Sequence, residues 1–582
     1  MFSYFRSIIS AMDLICTEVW INDFSSYLAF SSDGVPSDTT INDLNDDCLI
    51  SIFSRLPVTD RIRIERVSPT WKDLAEKSWS GVKSLDLNDV AKLLNPSTKF
   101  HSMRSIDSDI IRKILKKYGK YLRKIRFVQN DYCILDLVAD YCPNITSIVM
   151  DLTSAKGVNS LSYKCKEIQE FKCANLAESS KFVDMTNEEW NLALARLFVS
   201  NKKLKVLELI ETPYYFDFGY LLALTATKVQ SISTELKEYI DPGIPVNYRI
   251  PNLAKISNNL TFLKLDLSIF AQALLYDLWK SGIKTITFLK IDCSLVNDNV
   301  EELLGYIFKN NRNIKTLQVK AKGKEIFTGK CTLDLNKDVI EEIRIMDCNP
   351  KFESCLAKSL PTFVNLHTLD VSIDSELAIT CIASLGTRLK ILLVHTTLTY
   401  TKNFAEAISA LKNLEVLSLE GSDHSNLGKN FFDLVAPNLL HIKYLSVRGF
   451  KDVFESGIAS INKFEKLEEL YVDSSSCKNS VRAAIACLRH LKILYLEERV
   501  YTKGSEDFKA LLKCAGNLQH FKVFKLGHSC HEIVETAIQE TKNRKNNVML
   551  EISLPPADKY KISWDLIQEI SPLLRINFDP IL

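Results

Sequence analysis

Residues 414–447, LEVLSLEGSDHSNLGKNFFDLVAPNLLHIKYLSV, hold two copies of one short pattern, L-x-x-L-x-L with Ile or Val substituting, at Leu414 and Ile442. Apolar and variable residues alternate at the end of each copy, as in a strand with one face turned inward. The pattern opens with VKSLDL at Val82 and returns as LRKIRF at Leu122, ITSIVM at Ile145, IQEFKC at Ile168, LKVLEL at Leu204, LTFLKL at Leu260, ITFLKI at Ile286 and IKTLQV at Ile314. Further copies are IEEIRI at Ile340, LHTLDV at Leu366, LKILLV at Leu389, LEELYV at Leu467, LKILYL at Leu491 and LQHFKV at Leu518. Intervals of about 23 to 28 residues dominate, the spacing of a repeat architecture. Between copies run amphipathic stretches such as VFESGIASINKF at Val453–Phe464, which predict a helix opposite the strand. A unit this short cannot bury its own apolar face, so neighbours must stack and share one core.

The pattern is similar to that of leucine-rich repeats. The fold class expected is α/β: a curved horseshoe of about 17 repeats with a parallel β-sheet on its concave face. Where such repeats often carry Asn or Cys, this chain has small polar residues, Thr212, Ser268, Ser294, Asp374, Thr397, Ser422 and Ser475, with Cys348 the closest match. Their weaker local hydrogen bonds predict a somewhat irregular solenoid. VQSIST at Val229 reads as a degenerate copy, and ITFLKI could slip in register to IKTITF at Ile283. Two intervals are long. Cys173–Lys203 contains an extra helix around Trp190, Leu192, Leu194 and Leu197, and Ser233–Asn259 contains EYIDPGIPVNYRIP, whose prolines and glycine predict a shaped loop. The tail loses the repeat rhythm and carries ISWDLIQEISPLL, a segment able to cap the last apolar edge.

Ahead of the repeats stands INDLNDDCLISIFSRLPVTDRIRIERVSPTWKDLAEKSW, Ile41–Trp79. Cys48, Leu49, Ile52, Phe53 and Leu56 recur at helical spacing, Asn45, Asp46 and Asp47 supply a cap and negative charge, and Pro57 stops the helix. Asp60 opens a second helix with Ile62, Ile64 and Val67, and after Pro69 the apolar pattern resumes at Trp71 and Leu74. Residue types and spacing at Leu44, Asp47, Leu49, Ile52, Phe53, Leu56, Pro57, Asp60, Arg61, Val67, Ser68 and Trp71 resemble an F-box. One departure is Asn45, where F-boxes commonly have Pro. The expected organisation is a poorly ordered leader over 1–40, the F-box over 41–81, repeats over 82–547 and a cap over 548–582.

At 582 residues the chain has room for about four ordinary domains, a count the repeats override. Its composition, 46% hydrophobic and 25% charged, is that of a globular chain, and a net charge of +2 sets up no field inviting nucleic acid or an anionic membrane. Fifteen cysteines, an odd total with no CxxC, point to reduced thiols and a cytoplasmic or nuclear setting. Apolar stretches in the leader are broken by Arg6, Asp13, Glu18 and Asp23, unlike a signal peptide, and no long uncharged apolar run predicts a membrane span.

Residues alternating with the core leucines face solvent on the strands. In the last repeats these include Tyr444 and Arg448, Glu469, Tyr471 and Asp473, Tyr495 and Glu497, and Lys522, an aromatic and charged patch of the kind that anchors partners. The substrate-contact candidates are Arg448, Glu469, Tyr471, Asp473, Tyr495, Glu497 and Lys522, while Lys264, Asp266, Lys290, Asp292, Lys320 and Arg344 form a mixed-sign strip earlier on. Cys514, His520, His528, Cys530 and His531 are the densest set of potential ligands, but their spacing fits no zinc module, and neither a phosphate loop nor a nucleophile elbow is present. No catalysis, metal or cofactor is expected.

An F-box followed by leucine-rich repeats resembles the F-box/leucine-rich-repeat family. The resemblance implies that Leu44, Leu49, Ile52, Phe53, Leu56, Pro57, Val67 and Trp71 bind a Skp-type adaptor. Cullin and RING subunits of an SCF ubiquitin ligase would follow through that adaptor, and the repeats would hold a protein substrate. The alternative is a leucine-rich scaffold whose F-box has a non-proteolytic or vestigial role.

Overall fold

The computed structural model describes residues 44–56, 58–88, 90, 108–127, 134–150, 155–174, 187–212, 229–236, 261–266, 285–292, 305, 307–320, 336–346, 350–373, 376–396, 402–422, 425, 427, 430–450, 458–473, 485, 487–497, 517–523, 530–544, 548–554 and 573–578. The chain divides into two compact units, Met1–Met150 and Asp151–Leu582.

In the first unit α1 (Asp46–Arg55), α2 (Val58–Ile64) and α3 (Pro69–Ser78) are followed by β1 (Ser84–Asp86), α4 (Ser108–Tyr118), β2 (Lys124–Phe127), α5 (Ile134–Tyr141) and β3 (Ser147–Met150). Helix α1 starts where the sequence predicts: Asn45 Oδ1 accepts from the Cys48 backbone N–H at 2.8 Å, and Asp46 and Asp47 sit in the first turn, where the helix dipole favours them. Ser68 caps α3 in the same way, at 3.1 Å from the Trp71 N–H, with Pro69 in the first turn. Leu49, Phe53, Ile64, Leu74 and Ala75 form the core of the three helices, with Ile50, Ile52, Leu56 and Trp71 packed half-buried against it. Strands β1, β2 and β3 then pair in parallel, aligning the buried Leu85, Ile125 and Ile148. The division falls after Met150 rather than at residue 81, so the helical module shares one unit with the first three strands.

The second unit opens with α6 (Ala155–Lys164), β4 (Glu170–Cys173), α7 (Asn187–Ser200), β5 (Val206–Thr212), β6 (Ser231–Leu236), β7 (Phe262–Asp266), β8 (Phe288–Asp292), β9 (Thr316–Lys320) and β10 (Glu342–Met346). It continues through α8 (Pro350–Ser359), β11 (Thr368–Ser372), α9 (Glu376–Ile382), β12 (Ile391–His395), α10 (Lys402–Ser409), β13 (Val416–Glu420), α11 (Phe431–Val435), β14 (Tyr444–Arg448), β15 (Glu469–Asp473) and β16 (Ile493–Glu497). Last come β17 (His520–Val523), α12 (Cys530–Lys542), β18 (Leu550–Leu554) and β19 (Leu574–Phe578). From β4 onward each strand pairs in parallel with the next in the chain.

Register follows the leucines. Ile343, Leu369, Leu392, Leu417, Leu445, Leu470 and Leu494 face one another strand by strand, and all are buried. One residue of slip would turn this row outward, which pins the register. ITFLKI keeps the register from Ile286, since Leu289 and Ile291 are buried on β8, and VQSIST supplies β6. The extra helix expected between Cys173 and Lys203 is α7. Within VFESGIASINKF the described part is a 3-10 segment, Ile458–Lys463, tighter than the α-helix expected. The tail does not leave the rhythm: VMLEISL supplies β18, with Leu550, Ile552 and Leu554 buried, and β19 pairs on to it. The loop EYIDPGIPVNYRIP and the leader over 1–40 lie outside the described residues.

Polar side chains also stitch the turns. Asn144, Asn365, Asn413 and Asn517 each stand just before a repeat's first apolar residue and donate to a carbonyl of the preceding turn, at 2.9, 2.7, 2.9 and 2.8 Å. One position further on, charges pair along the rim: Lys315 with Glu341, Lys443 with Glu415 and Lys492 with Glu468, each at 2.7 Å. These pairs are partly exposed, so salt screens them and they contribute more to order than to stability.

At Gly449 φ is +74°, and a Cβ there would lie 2.2 Å from the Gly421 carbonyl oxygen. The Gly421 N–H in turn donates to the Arg448 carbonyl at 2.8 Å, so β13 and β14 leave their strands by a glycine-on-glycine contact. Gly449→Ala is expected to cost about 2–4 kcal/mol in urea unfolding, from a strained φ and a backbone clash, whereas Gly81→Ala, which meets open space, stays within about 0.5 kcal/mol.

Candidate functional site

The helical module presents a mixed surface. Leu44 is 37% exposed and Val67 60%, and Ile52, Leu56 and Trp71 are half-buried, so these five adaptor-contact candidates reach or approach solvent. Leu49 and Phe53, at 3% and 1%, do not: they are the core that the face is built on. The alternation of buried and open positions around one helix turn separates them, and a list of apolar positions alone cannot. Trp71 rests on Phe53 with ring centroids 5.2 Å apart. Pro57 lies outside the described residues. Asn45, the departure from the common Pro, is itself the cap of α1, so the helix starts at the position the motif requires.

Two charged residues hold this module in shape. Arg61, 6% exposed, donates from Nε to the Leu56 carbonyl at 2.9 Å, from Nη1 to the Ser78 carbonyl at 3.0 Å and from Nη2 to the Ser54 carbonyl, tying the end of α1 to the end of α3. Burial pulls its guanidinium below its ordinary pKa. Glu65, which the sequence reading passed over, joins the module to the first repeats. Its carboxylate accepts from Trp79 Nε1 at 3.1 Å and from the Tyr118 hydroxyl, and pairs with Lys117 at 2.9 Å. The Trp79 and Tyr118 rings stack, 3.5 Å between centroids and 12° apart. Burial, then the bond to Glu65, raises the Tyr118 phenol, keeping it a neutral donor.

On the open face of the sheet, β15 and β16 set Tyr471 opposite Tyr495, and the rings stack at 3.9 Å and 17°. Tyr444 extends the row at 5.8 Å from Tyr471, and the Arg448 guanidinium lies 4.6 Å from the Tyr471 ring centre. Burial, then the bond to Tyr495, raises the Tyr471 phenol. Glu469 faces Ile493, Asp473 faces Glu497, and Lys522 stands next to Tyr495. The candidates on these strands thus occupy adjacent rungs. The mixed-sign strip is ordered by sign rather than alternating: Lys264 faces Lys290 and Asp266 faces Asp292.

Between the two lies a cluster that the residue list missed. His395 sits with Nε2 at 3.2 Å from Asp370 Oδ1 and Nδ1 at 2.9 Å from Glu420 Oε2, its carboxylate neighbours coming from the strands on either side. The neighbouring carboxylates, Asp370 first and then Glu420, raise its pKa from 6.5 to about 9. Both ring nitrogens are committed to carboxylates, so this is a charge clasp and not a base poised beside a nucleophile. Of the Cys/His cluster near the end, Cys514 and His528 lie outside the described residues, and His520 pairs with Glu551 at 3.3 Å. No described helix is long and apolar enough to cross a membrane.

Residues 41–83 match the F-box domain. Three helices matching an F-box, followed by parallel strands in the L-x-x-L-x-L register, define the class of F-box proteins with leucine-rich repeats. The chain carries an F-box and resembles F-box/leucine-rich-repeat proteins. It is similar to F-box/LRR-repeat protein 12 of Bos taurus, 29% identical over 127 residues, 22% of this chain and 37% of that one. The same-named Homo sapiens protein is 28% identical over 137 residues, 23% of this chain and 40% of that one. A Caenorhabditis elegans protein named for RNA binding, EEED8.10, is 27% identical over 171 residues, 26% of this chain and 22% of that one. The chain thus matches less than half the length of each of these relatives. Among solved structures, the crystal structure of a TLR13–ssRNA13 complex aligns with 88% of this chain and 63% of that one, at a TM-score of 0.33 and 15% identity.

Removing the Glu65 carboxylate strands the Trp79 N–H and the Tyr118 hydroxyl. Glu65→Ala is expected to destabilise the first unit by about 2–4 kcal/mol, read by tryptophan fluorescence in urea, while Lys117→Ala, at the more open partner, costs under about 1 kcal/mol. The His395 clasp makes stability pH-dependent with a definite sign. Its folded pKa lies above the unfolded value, so its contribution is complete below pH 6.5 and fades as pH rises through about 9. Thermal melting should fall across that window, and His395→Gln should flatten the decline.

Proposed function

We propose that the chain is the substrate-recognition subunit of an SCF-type (Skp–cullin–F-box) E3 ubiquitin ligase. The F-box at 41–83 carries the reading, supported by the apolar side chains Leu44 and Val67 left exposed on a module whose own core is already filled by Leu49 and Phe53. Exposed apolar groups on so short a module are accounted for by a partner that covers them. In this reading the face around Leu44, Ile52, Leu56, Val67 and Trp71 docks on the Skp-type adaptor, while Leu49, Phe53 and Arg61 keep that face in shape. Cullin and RING subunits join through the adaptor.

The open face around Tyr444, Tyr471, Tyr495 and Arg448 receives the protein substrate. Stacked rings are stiff and lose little entropy on binding, and Arg448, Glu469 and Lys522 add charge that selects among partners. The chain contributes proximity instead of bond chemistry: a substrate lysine held near a charged conjugating enzyme reacts at a raised effective concentration. Reduced cysteines fit work in the cytoplasm or nucleus.

Purified full-length chain mixed with adaptor, cullin and RING protein is expected to form the four-part assembly on a sizing column. Leu44→Asp with Val67→Asp should weaken adaptor binding at least about tenfold, leaving the melting temperature unchanged because both side chains are already in solvent. Leu49→Asp is no substitute, since it would break the module's core. Unaltered adaptor capture by the double variant overturns the docking face, and adaptor binding without cullin assembly favours the free-scaffold reading.

A further inference from the structure

Helix α7 carries apolar residues on two faces. Ala193, Leu194, Leu197 and Phe198 point into the repeat core, where Phe198 meets Phe171 edge-on at 6.1 Å between centroids. The opposite face carries Leu192 and Val199, 49% and 53% exposed, at i and i+7 of one helical stripe. On the neighbouring α6, Tyr163 is 64% exposed. The three side chains line one groove of about 360 Å³ between α6 and α7, together with Ala195, Lys166 and Arg196. A helix apolar on both faces is ordinarily covered on both. Here the outer stripe is open.

We infer that this groove is a docking site for an acidic amphipathic helix of a partner protein. The charges of the walls select the occupant. Lys166 and Arg196 line the groove and no acidic residue does. Among the described residues neither cation meets a carboxylate: the Lys166 ammonium donates to the Ser162 carbonyl, and Arg196 Nη1 lies 3.4 Å from Asn159 Oδ1. A partner carrying Glu or Asp beside its apolar stripe would satisfy both at the rim while its aliphatic side chains cover Leu192, Val199 and Tyr163. The form of the groove selects a helix. Its α7 wall runs from Leu192 to Ser200, about 12 Å at 1.5 Å per residue, and the trough between two packed helices accepts the ridge of a third. This site is built by α6, α7 and Lys166, none of them part of the F-box helices or of the sheet, and its fate is independent of the ligase reading.

The test pans a phage-displayed library of peptides of roughly 16 residues, enough to span the groove as a helix, on the full-length chain, then measures the enriched peptides by fluorescence anisotropy. Enriched sequences should carry apolar residues at i, i+3 or i+4 and i+7 flanked by Glu or Asp, and should gain helical circular dichroism on binding. Arg196→Glu and Leu192→Asp should each weaken them at least about tenfold, with Val199→Asp as a second apolar variant should either alter the melting temperature. Adaptor capture, measured beside them, should not move. The inference is overturned if no peptide is enriched, if basic peptides are favoured, or if affinity ignores these substitutions. It is overturned equally if vesicles rich in phosphatidylserine, and no peptide, bind in a Leu192-dependent manner.

Discussion

Glu65 accepts two hydrogen bonds and an ion pair at the junction between the F-box and the first repeats, where Trp79 and Tyr118 stack against each other. A carboxylate this sheltered is costly unless its partners are supplied, and once they are supplied it allows little movement. The amino-terminal helices are therefore not a separate bead ahead of the repeats. They form one unit with β1 to β3, held by a polar contact whose geometry is far more specific than apolar packing alone. A ligand captured by the F-box thereby acquires a defined orientation toward the first repeats.

The repeat architecture was legible because it rests on two simple periodicities: alternation within a strand and the return of that strand at a nearly constant interval. Leu417 and Leu419 illustrate it, each fully buried and aligned with equivalents on either side. The asparagine just before the first leucine recurs as openly as the leucines themselves, ahead of the strand rather than after it. Asn144, Asn365, Asn413 and Asn517 show that the recurring amide bond lies at the strand's entrance. In the tail Leu550, Ile552 and Leu554 keep the alternation, but the spacing around them differs, and most of ISWDLIQEISPLL lies outside the described residues. The F-box segment was legible as a motif, yet a motif does not separate residues that build a face from residues that form it. Leu49 and Phe53 are of the first kind and Val67 of the second. Glu65 and His395 were out of reach, since their partners are distant in sequence and meet only once the strands and helices have packed.

The open face carries its charges in short groups rather than one field. Asp370, His395 and Glu420 neutralise one another in part across three strands, and Arg448 sits on an aromatic ring. Such a surface has little long-range pull, in keeping with a net charge of +2, and discriminates at contact distance. The aromatic row beside it carries Arg448 over the Tyr471 ring. Separation of the charge cluster and the aromatic row along the sheet lets one be altered without reshaping the other, because each strand touches only its neighbours.

The rim of paired charges carries a consequence for how such a chain can change over time. Solenoids grow and shrink by whole repeats, and the apolar core accepts any copy that keeps its leucines. The rim does not. Lys443 lies between Glu415 and Glu468, and Lys390 stands on the other side of Glu415. Loss of the single repeat bearing Glu415 would set Lys390 beside Lys443, like charge against like, while loss of two adjacent repeats would preserve the alternation. The rim thus acts as a parity check on duplication and deletion, favouring even steps over odd ones in this part of the array.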